Sequence, residues 1–306
     1  MGDFDRCCYT VETAEVMKLL LKFSLLFVLV FGAGMYVVGR LCYSFLQQSA
    51  RDQVTQQAQL MMESATAMRS YTTKQIKPLV GAPKPGDAFI PQTVPAYAAT
   101  ESFNYLRTKY PEYTYKEATL NPTNLRDRAV DWETDVVNVF RNDPKIRDFT
   151  GERDMPTGRS LFFARPIAVA EPCLECHSTV DAAPPAMVKL YGTANGYGWK
   201  REEIVAAQIV SVPMSLPLAM ADKAFTRLMS SLGGIALLTL VLLNLVLVFT
   251  VIRPVSRFAA NADEISKGNL EIPELPVTGR DEIAILAESF NRMHRSLIRA
   301  MKMLER

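Results

Sequence analysis

Two apolar runs divide this chain. The first extends from Phe23 to Gly39 between Lys22 and Arg40. With its snorkelling flanks it reaches the ~20 residues that a membrane helix needs. Arg40-Leu41-Cys42-Tyr43 follows, with no small-x-small cleavage site, which favours an uncleaved anchor over a signal peptide. The second run, Leu228 to Ile252, is longer and uncharged, and reads as transmembrane. Asn244 lies within it, and a lone amide in lipid is expected to face a neighbouring helix. Two spans place both termini on one side. Arg253, Arg257 and Lys267 follow the second span directly, which marks that side as cytoplasmic.

Between the runs the polar pattern changes period several times. Ala50, Val54, Ala58, Met61, Ala65, Met68 and Thr72 recur at steps of three and four, so a helix continues out of the first span. Lys77-Pro78 is expected to end it. Residues 78–95, rich in proline, read as a loop. Helices are predicted over Ala96–Lys109 and Asp131–Arg141. Strands are predicted at Tyr113–Ala118, Phe149–Arg153, Arg159–Ala168 and Ile204–Pro213. Helices flanking several antiparallel strands give an α+β domain. Gly192-Thr193-Ala194-Asn195-Gly196-Tyr197-Gly198 neither follows a strand nor opens a helix, so it reads as a turn and not as a nucleotide loop.

After the second run, two amphipathic helices are joined by a connector. Arg253-Pro254 starts the first, whose stripe is Val255, Phe258, Ala262 and Ile265, and Gly268 ends it. Leu270, Ile272 and Val277 anchor the connector. Asp281-Glu282-Ile283 opens the second helix, where Leu286, Phe290, Met293, Leu297 and Leu304 continue at heptad-like spacing. A single chain cannot bury both stripes. A parallel four-helix bundle in a homodimer would.

Composition adds one restriction. The net charge is +2 over 306 residues, which points away from nucleic acid. The five cysteines, Cys7, Cys8, Cys42, Cys173 and Cys176, form no disulfide framework, and nothing near Cys7 or Cys8 would activate a thiol.

The chemistry is concentrated in Cys173-Leu174-Glu175-Cys176-His177, a C-x-x-C-H motif and the attachment pattern of a c-type haem. Two thiols at that spacing reach two vinyl groups on one porphyrin edge, and the adjacent histidine supplies a nitrogen to iron. A zinc site would need a second pair of ligands nearby, and a thioredoxin-like dithiol a β-α-β setting; neither pattern is present. The motif is expected in a loop after the third strand. Covalent haem is fitted outside the cytoplasm, so the intervening region is expected to be periplasmic.

Counting bounds the coordination. The chain has two histidines, His177 and His294, and His294 lies beyond the second span. A bis-histidine iron within one outer domain is therefore excluded. The opposite iron face must then take methionine, cysteine, another group, water or nothing; the methionine candidates are Met61, Met62 and Met68, with Met155, Met187 and Met214 behind them. Cys42 is about 28 Å along a continuous helix from Met61. Arg69, Lys116 and Arg165 are candidate contacts for haem propionates. With the outer histidine committed to iron, no Ser-His-Asp or Cys-His site is available there, and no enzyme is expected.

Two resemblances now carry weight. Residues 253–306 look like a HAMP linker through the proline after the membrane, the connector glycine, Asp281-Glu282-Ile283 and Phe290-Asn291-Arg292-Met293. The outer region resembles the Tll0287-like family of haem sensor domains, also called DUF3365. Besides C-x-x-C-H, the matching stretches are Arg69-Ser70-Tyr71-Thr72, Val94-Pro95-Ala96-Tyr97, Lys116-Glu117-Ala118-Thr119-Leu120-Asn121-Pro122, Thr157-Gly158-Arg159-Ser160 and Val212-Pro213-Met214-Ser215. The resemblance implies a PAS-like haem domain mounted on a signalling receptor. It implies haem attached at Cys173 and Cys176 and held by His177.

The expected organisation is a cytoplasmic tail over 1–16, a transmembrane helix over 17–41 and a periplasmic haem domain over 42–226. A second transmembrane helix over 227–252 and a cytoplasmic HAMP domain over 253–306 complete it. The expected protein is a two-pass receptor of a bacterial inner membrane with one covalent haem c. It would sense redox state or a diatomic gas. Receptors of this shape usually continue into a kinase, a cyclase or a chemotaxis rod, so the output is expected from a separate protein, unless the chain is a fragment or signalling has been lost. The rival reading is a membrane-anchored electron-transfer cytochrome. A peroxidase would need an acid–base group over an open iron face.

Overall fold

The computed structural model describes residues 4–81, 88–156 and 158–304, with side chains placed over 20–303 of these. Cys7, Cys8, Leu304, Thr157 and the loop prolines Pro83 and Pro85 lie outside the described side chains. The chain divides into two units, Tyr43–Phe225 and Met1–Cys42 with Thr226–Arg306.

In order, the elements are α1 (Phe4–Tyr71), a π turn (Thr72–Ile76), α2 (Lys77–Val80), α3 (Pro95–Arg107), β1 (Thr114–Thr119), α4 (Asp131–Asn142), β2 (Phe149–Met155), β3 (Gly158–Ala168), α5 (Glu171–His177), α6 (Pro185–Tyr191), β4 (Ile204–Pro213), α7 (Ser215–Leu247), a second π turn (Val248–Ile252), α8 (Arg253–Ser266) and α9 (Glu282–Leu304). The α+β reading holds, with strand ends moved by a residue or two. Lys77-Pro78 does not stop the helix. The π turn shifts the register, Lys77 N–H donates to Thr72 O, and Pro78 falls in the first turn of α2, where its missing N–H costs nothing. The chain turns instead at Gly81, with φ +75°.

In the Tyr43–Phe225 unit the sheet order is β1-β4-β3-β2, antiparallel throughout. Alternation along the strands gives it two buried faces. On one, Tyr115, Leu161, Phe163, Val210 and Val212 pack against Val54, Ala58, Met62 and Ala65 of α1 and Ala99 and Phe103 of α3. On the other, Ala118, Phe162, Ala164, Ala207 and Ile209 pack against Val136, Val137 and Phe140 of α4. The α1 seam passes through Met62, which is fully buried, whereas Met61 and Met68 lie at its margin. This corrects the expected stripe by one position, because Met62 continues the four-residue step from Ala58.

In the other unit, α1 and α7 each contain a stretch long and apolar enough to cross a membrane. Ser24 Oγ donates to Asn244 Oδ1 at 3.0 Å, so the amide does face the neighbouring helix. Among the last elements, Phe258 meets Phe290 edge-on at 6.0 Å. Asp281 Oδ1 accepts from Ala284 N–H, capping α9. α9 buries Ala284, Ala287, Asn291 and His294. Asn291 bonds both the N–H and the C=O of Leu275, and His294 Nε2 donates to Leu270 O at 3.1 Å. Val255, Leu286, Met293 and Leu297 stay exposed as a separate stripe.

Candidate functional site

The C-x-x-C-H motif occupies a short helix and not the expected loop. Val169 follows β3 with backbone bonds to Glu203 and Glu202, and Ala170 turns the chain into α5. Pro172 suits the first helical turn, and Glu171 complements the helix dipole there. Helical spacing then sets Cys173 and Cys176 on one face, three positions apart. Both are free, half-buried thiols. Leu174 and Cys173 pack beside Trp199 on Val169, Val205 and Ala206, which fixes the helix to the end of the sheet.

His177 is held from three directions. Its Nδ1 lies 2.7 Å from the carbonyl oxygen of Gly196. A carbonyl only accepts, so Nδ1 carries the proton and the lone pair resides on Nε2. Thr123 Oγ1 approaches the same Nδ1 at 3.3 Å. The ring stacks on Trp199 at 4.0 Å between centroids and 14° between planes. The backbone N–H of Trp199 also donates to His177 O at 3.2 Å.

The acceptor is positioned by a close approach that only glycine permits. Gly196 has φ +87°, and a Cβ there would lie 2.1 Å from Thr123 Oγ1 and 2.8 Å from Thr123 Cα. Asn121 Oδ1 accepts from Gly196 N–H at 3.1 Å, and its Nδ2 donates to Tyr197 O at 3.3 Å. The glycine-rich stretch is thus a turn, as its pattern predicts, and it also holds the histidine.

Burial lowers the pKa of His177, opposed by the bond to Gly196. The imidazole therefore stays neutral, the state in which nitrogen binds a metal. Burial raises the pKa of Cys176, opposed by Lys77. Lys77 Nζ stands 3.7 Å from Glu175, so the start of α2 reaches α5.

The three proposed basic contacts are placed differently. Arg69 is in electrostatic reach of Cys173. It pairs with buried Glu117, which also accepts from Tyr115 OH at 2.8 Å, and Tyr115 accepts from Gln208 at 2.8 Å. Burial works against the Arg69 charge, but Glu117 outweighs it and the pKa is raised. Lys116 lies on the other face of the sheet, bonded to Glu133 at 2.6 Å and Arg128 O at 2.8 Å. Arg165 is gripped by Glu63 at 2.6 Å and Asp148 at 2.7 Å. Met62, Met187 and Met214 are buried, and Met61 and Met68 sit at the margin of the α1 core.

Gly196, Trp199, Thr123, Asn121 and Glu117 were not singled out from the sequence as site residues. Their signal lay in the glycine run and in the matched stretch around Asn121. Among the described residues no three His, Cys, Asp or Glu side chains gather as a metal cluster. The donors fit the group a C-x-x-C-H takes: two thiols on one helical face and an imidazole whose Nδ1 is engaged and whose Nε2 is free.

The family model described as Tll0287-like (Tll0287) matches residues 47–213, and the HAMP domain model matches residues 246–299. Among solved structures, that of the cyanobacterial heme-protein Tll0287 is 15% identical, with a TM-score of 0.41 over 52% of this chain and 94% of that one. No curated protein matches. With its family model spanning the sheet, the motif helix and the glycine turn, the chain belongs to the Tll0287-like family and carries a HAMP domain behind it.

Proposed function

We propose that this protein is a membrane-bound c-type haem sensor that passes a conformational signal through its HAMP domain to a signalling partner. The observation that carries this reading is the His177 clamp beside two thiols on one helical face. Cys173 and Cys176 would hold one haem covalently, and His177 Nε2 would be its axial ligand. Haem bound there supplies a redox-active iron with an axial position open to change by redox state or a diatomic ligand.

The chain's own residues do the rest. Gly196 and Trp199 fix the plane and tautomer of His177, so a displacement of this side chain moves the turn it is tied to. Arg69 holds a positive charge beside Cys173, with Glu117 neutralising it. Of the three methionines proposed for the opposite face, Met61 and Met68 retain freedom that buried Met62 lacks. Arg69 lies in the last turn of α1, so motion near it would enter that helix. The HAMP helices leave Val255, Leu286, Met293 and Leu297 exposed, a stripe that a second copy would cover in a parallel bundle. The Tyr43–Phe225 unit would face the periplasm, with both termini cytoplasmic. No enzymatic step is assigned.

The test has two parts. Expressed in a host that matures c-type cytochromes, the protein should carry haem that survives denaturing electrophoresis, and Cys173→Ser with Cys176→Ser should abolish it. Absence of haem from the wild type would overturn the reading. Crosslinking through Met293→Cys should then differ between oxidised and reduced membranes. Identical patterns would leave a haem protein that does not signal, as the electron-transfer reading requires.

A further inference from the structure

A cavity of about 330 Å³ opens on the α4 face of the sheet; none of Cys173, Cys176, His177, Thr123, Gly196 and Trp199 lines it, and Tyr115, bonded to Glu117 on the other face, reaches its margin. Its floor is Thr114 and Lys116 of β1 with Ile209 and Ser211 of β4, which are register partners. Trp132 and Glu133, in the first turn of α4, form one wall, and Arg107 of α3 and Arg153 of β2 reach in from other elements. Thr100 and Asn104 add further polar groups.

The cations in this cavity fall into two classes. Lys116 is paired with Glu133, and Arg126 with Glu101 and, at 3.6 Å, Asp127. Arg107 and Arg153 make no ion pair with a carboxylate among the described residues. Arg153 is instead laid over the ring of Trp132, 4.0 Å from guanidinium carbon to centroid. Stacking fixes the plane of a guanidinium while leaving its edge N–H groups free to donate. An oriented guanidinium without an acid, beside the N-terminal turn of a twelve-residue helix, is arranged to receive a negative charge.

We infer that this cavity binds a small organic acid carrying one or two carboxylates, gripped by Arg153 and Arg107. A planar carboxylate matches the guanidinium fork. The hydroxyls of Thr100, Thr114 and Ser211 would bond the remaining oxygens. The volume equals that of about ten waters, enough for a four-carbon dicarboxylate. Asp127 and Glu133 inside the same cavity limit the negative charge it can accept, and the planar fork of Arg153 favours a carboxylate. The site does not depend on haem. It adjoins the haem side through β1, where Lys116 faces the cavity and the next residue, Glu117, holds Arg69 on the other face.

The experiment is calorimetric titration of the full chain in detergent with succinate, its neutral isostere succinamide, and sulfate. Succinate should bind saturably at millimolar or lower concentration, and succinamide should not. Arg153→Gln and Arg107→Gln should each weaken binding by at least about tenfold. Arg107 is exposed, so its replacement tests the site without threatening the fold. Arg141→Gln, on the far end of α4, should leave binding unchanged. The proposal fails if succinate gives no saturable signal up to about 20 mM, or if succinamide or sulfate binds as well. It fails equally if both arginine variants bind succinate like the wild type.

Discussion

Replacing Gly196 by alanine tests the geometry that holds His177. Two costs add. At φ +87° a side chain costs about 1–2 kcal/mol relative to glycine. The new Cβ would also lie 2.8 Å from Thr123 Cα and 2.1 Å from its Oγ1, and displacing backbone in a packed site costs a further ~1–3 kcal/mol. The sum is about 2–5 kcal/mol. Gly192 supplies the control, because it has φ +80° with nothing within 4 Å of its ideal Cβ. Gly192→Ala should therefore cost only the first part. For a unit of this size each kcal/mol lowers the melting temperature by about 2–4 °C, so Gly196→Ala should melt ~4–20 °C below wild type. It should also melt clearly below Gly192→Ala. The assay is thermal unfolding of the full chain in detergent, followed by circular dichroism in the far ultraviolet. Thr123→Ala in the Gly196→Ala background should recover part of the loss, since it removes the nearer of the two clashes. Equal melting of the two glycine variants would refute the claim that close packing against Thr123 sets the turn.

Two further outcomes follow from buried polar groups. Burial raises the pKa of Asp127 from 3.8 to about 6, with Arg126 opposing. A carboxyl whose pKa is higher when folded contributes stability below pH 4 that is lost as the pH rises through 6. At pH 8 its ionised form then costs at most about 3 kcal/mol. Asp127→Asn should accordingly raise the melting temperature at pH 8 and leave it unchanged at pH 4; a pH-independent difference would contradict this. In the HAMP domain, Asn291→Ala should strand the N–H and C=O of Leu275, at about 2–4 kcal/mol. Amide hydrogen exchange at Leu275 should accelerate by at least about tenfold, and an unchanged rate would show that this clasp does not hold the connector.

The readable part of this protein is the part that depends on near neighbours in the chain. Apolar runs, strand alternation and helical steps each report a local period. They located the sheet strands, α3, α4 and both HAMP helices to within a few residues. C-x-x-C-H is likewise a local motif, and the thiols and histidine are legible in it directly. Even so, local rules left two errors besides the one-position shift of the α1 stripe from Met61 to Met62. Pro78 stopped the helix on paper, but a π turn lets α2 follow. The motif was expected in a loop, but Pro172 and Glu171 favour a helical turn that packing on Val205 and Ala206 retains.

What folding alone decided are meetings between distant segments. Arg69 faces Glu117, while Lys116, its neighbour on the strand, faces the opposite side, because the pleat alternates and α1 covers only one face. The proton on His177 is assigned by a carbonyl nineteen positions away, brought there by a glycine that fits under Thr123. Arg107 and Arg153 meet at one cavity only after β1 and β4 pair. Periodicity names the face on which a residue lies, but the partner across that face is set by the packing of other elements. The candidate chemistry was therefore present in the sequence, and its geometry was decided by tertiary structure.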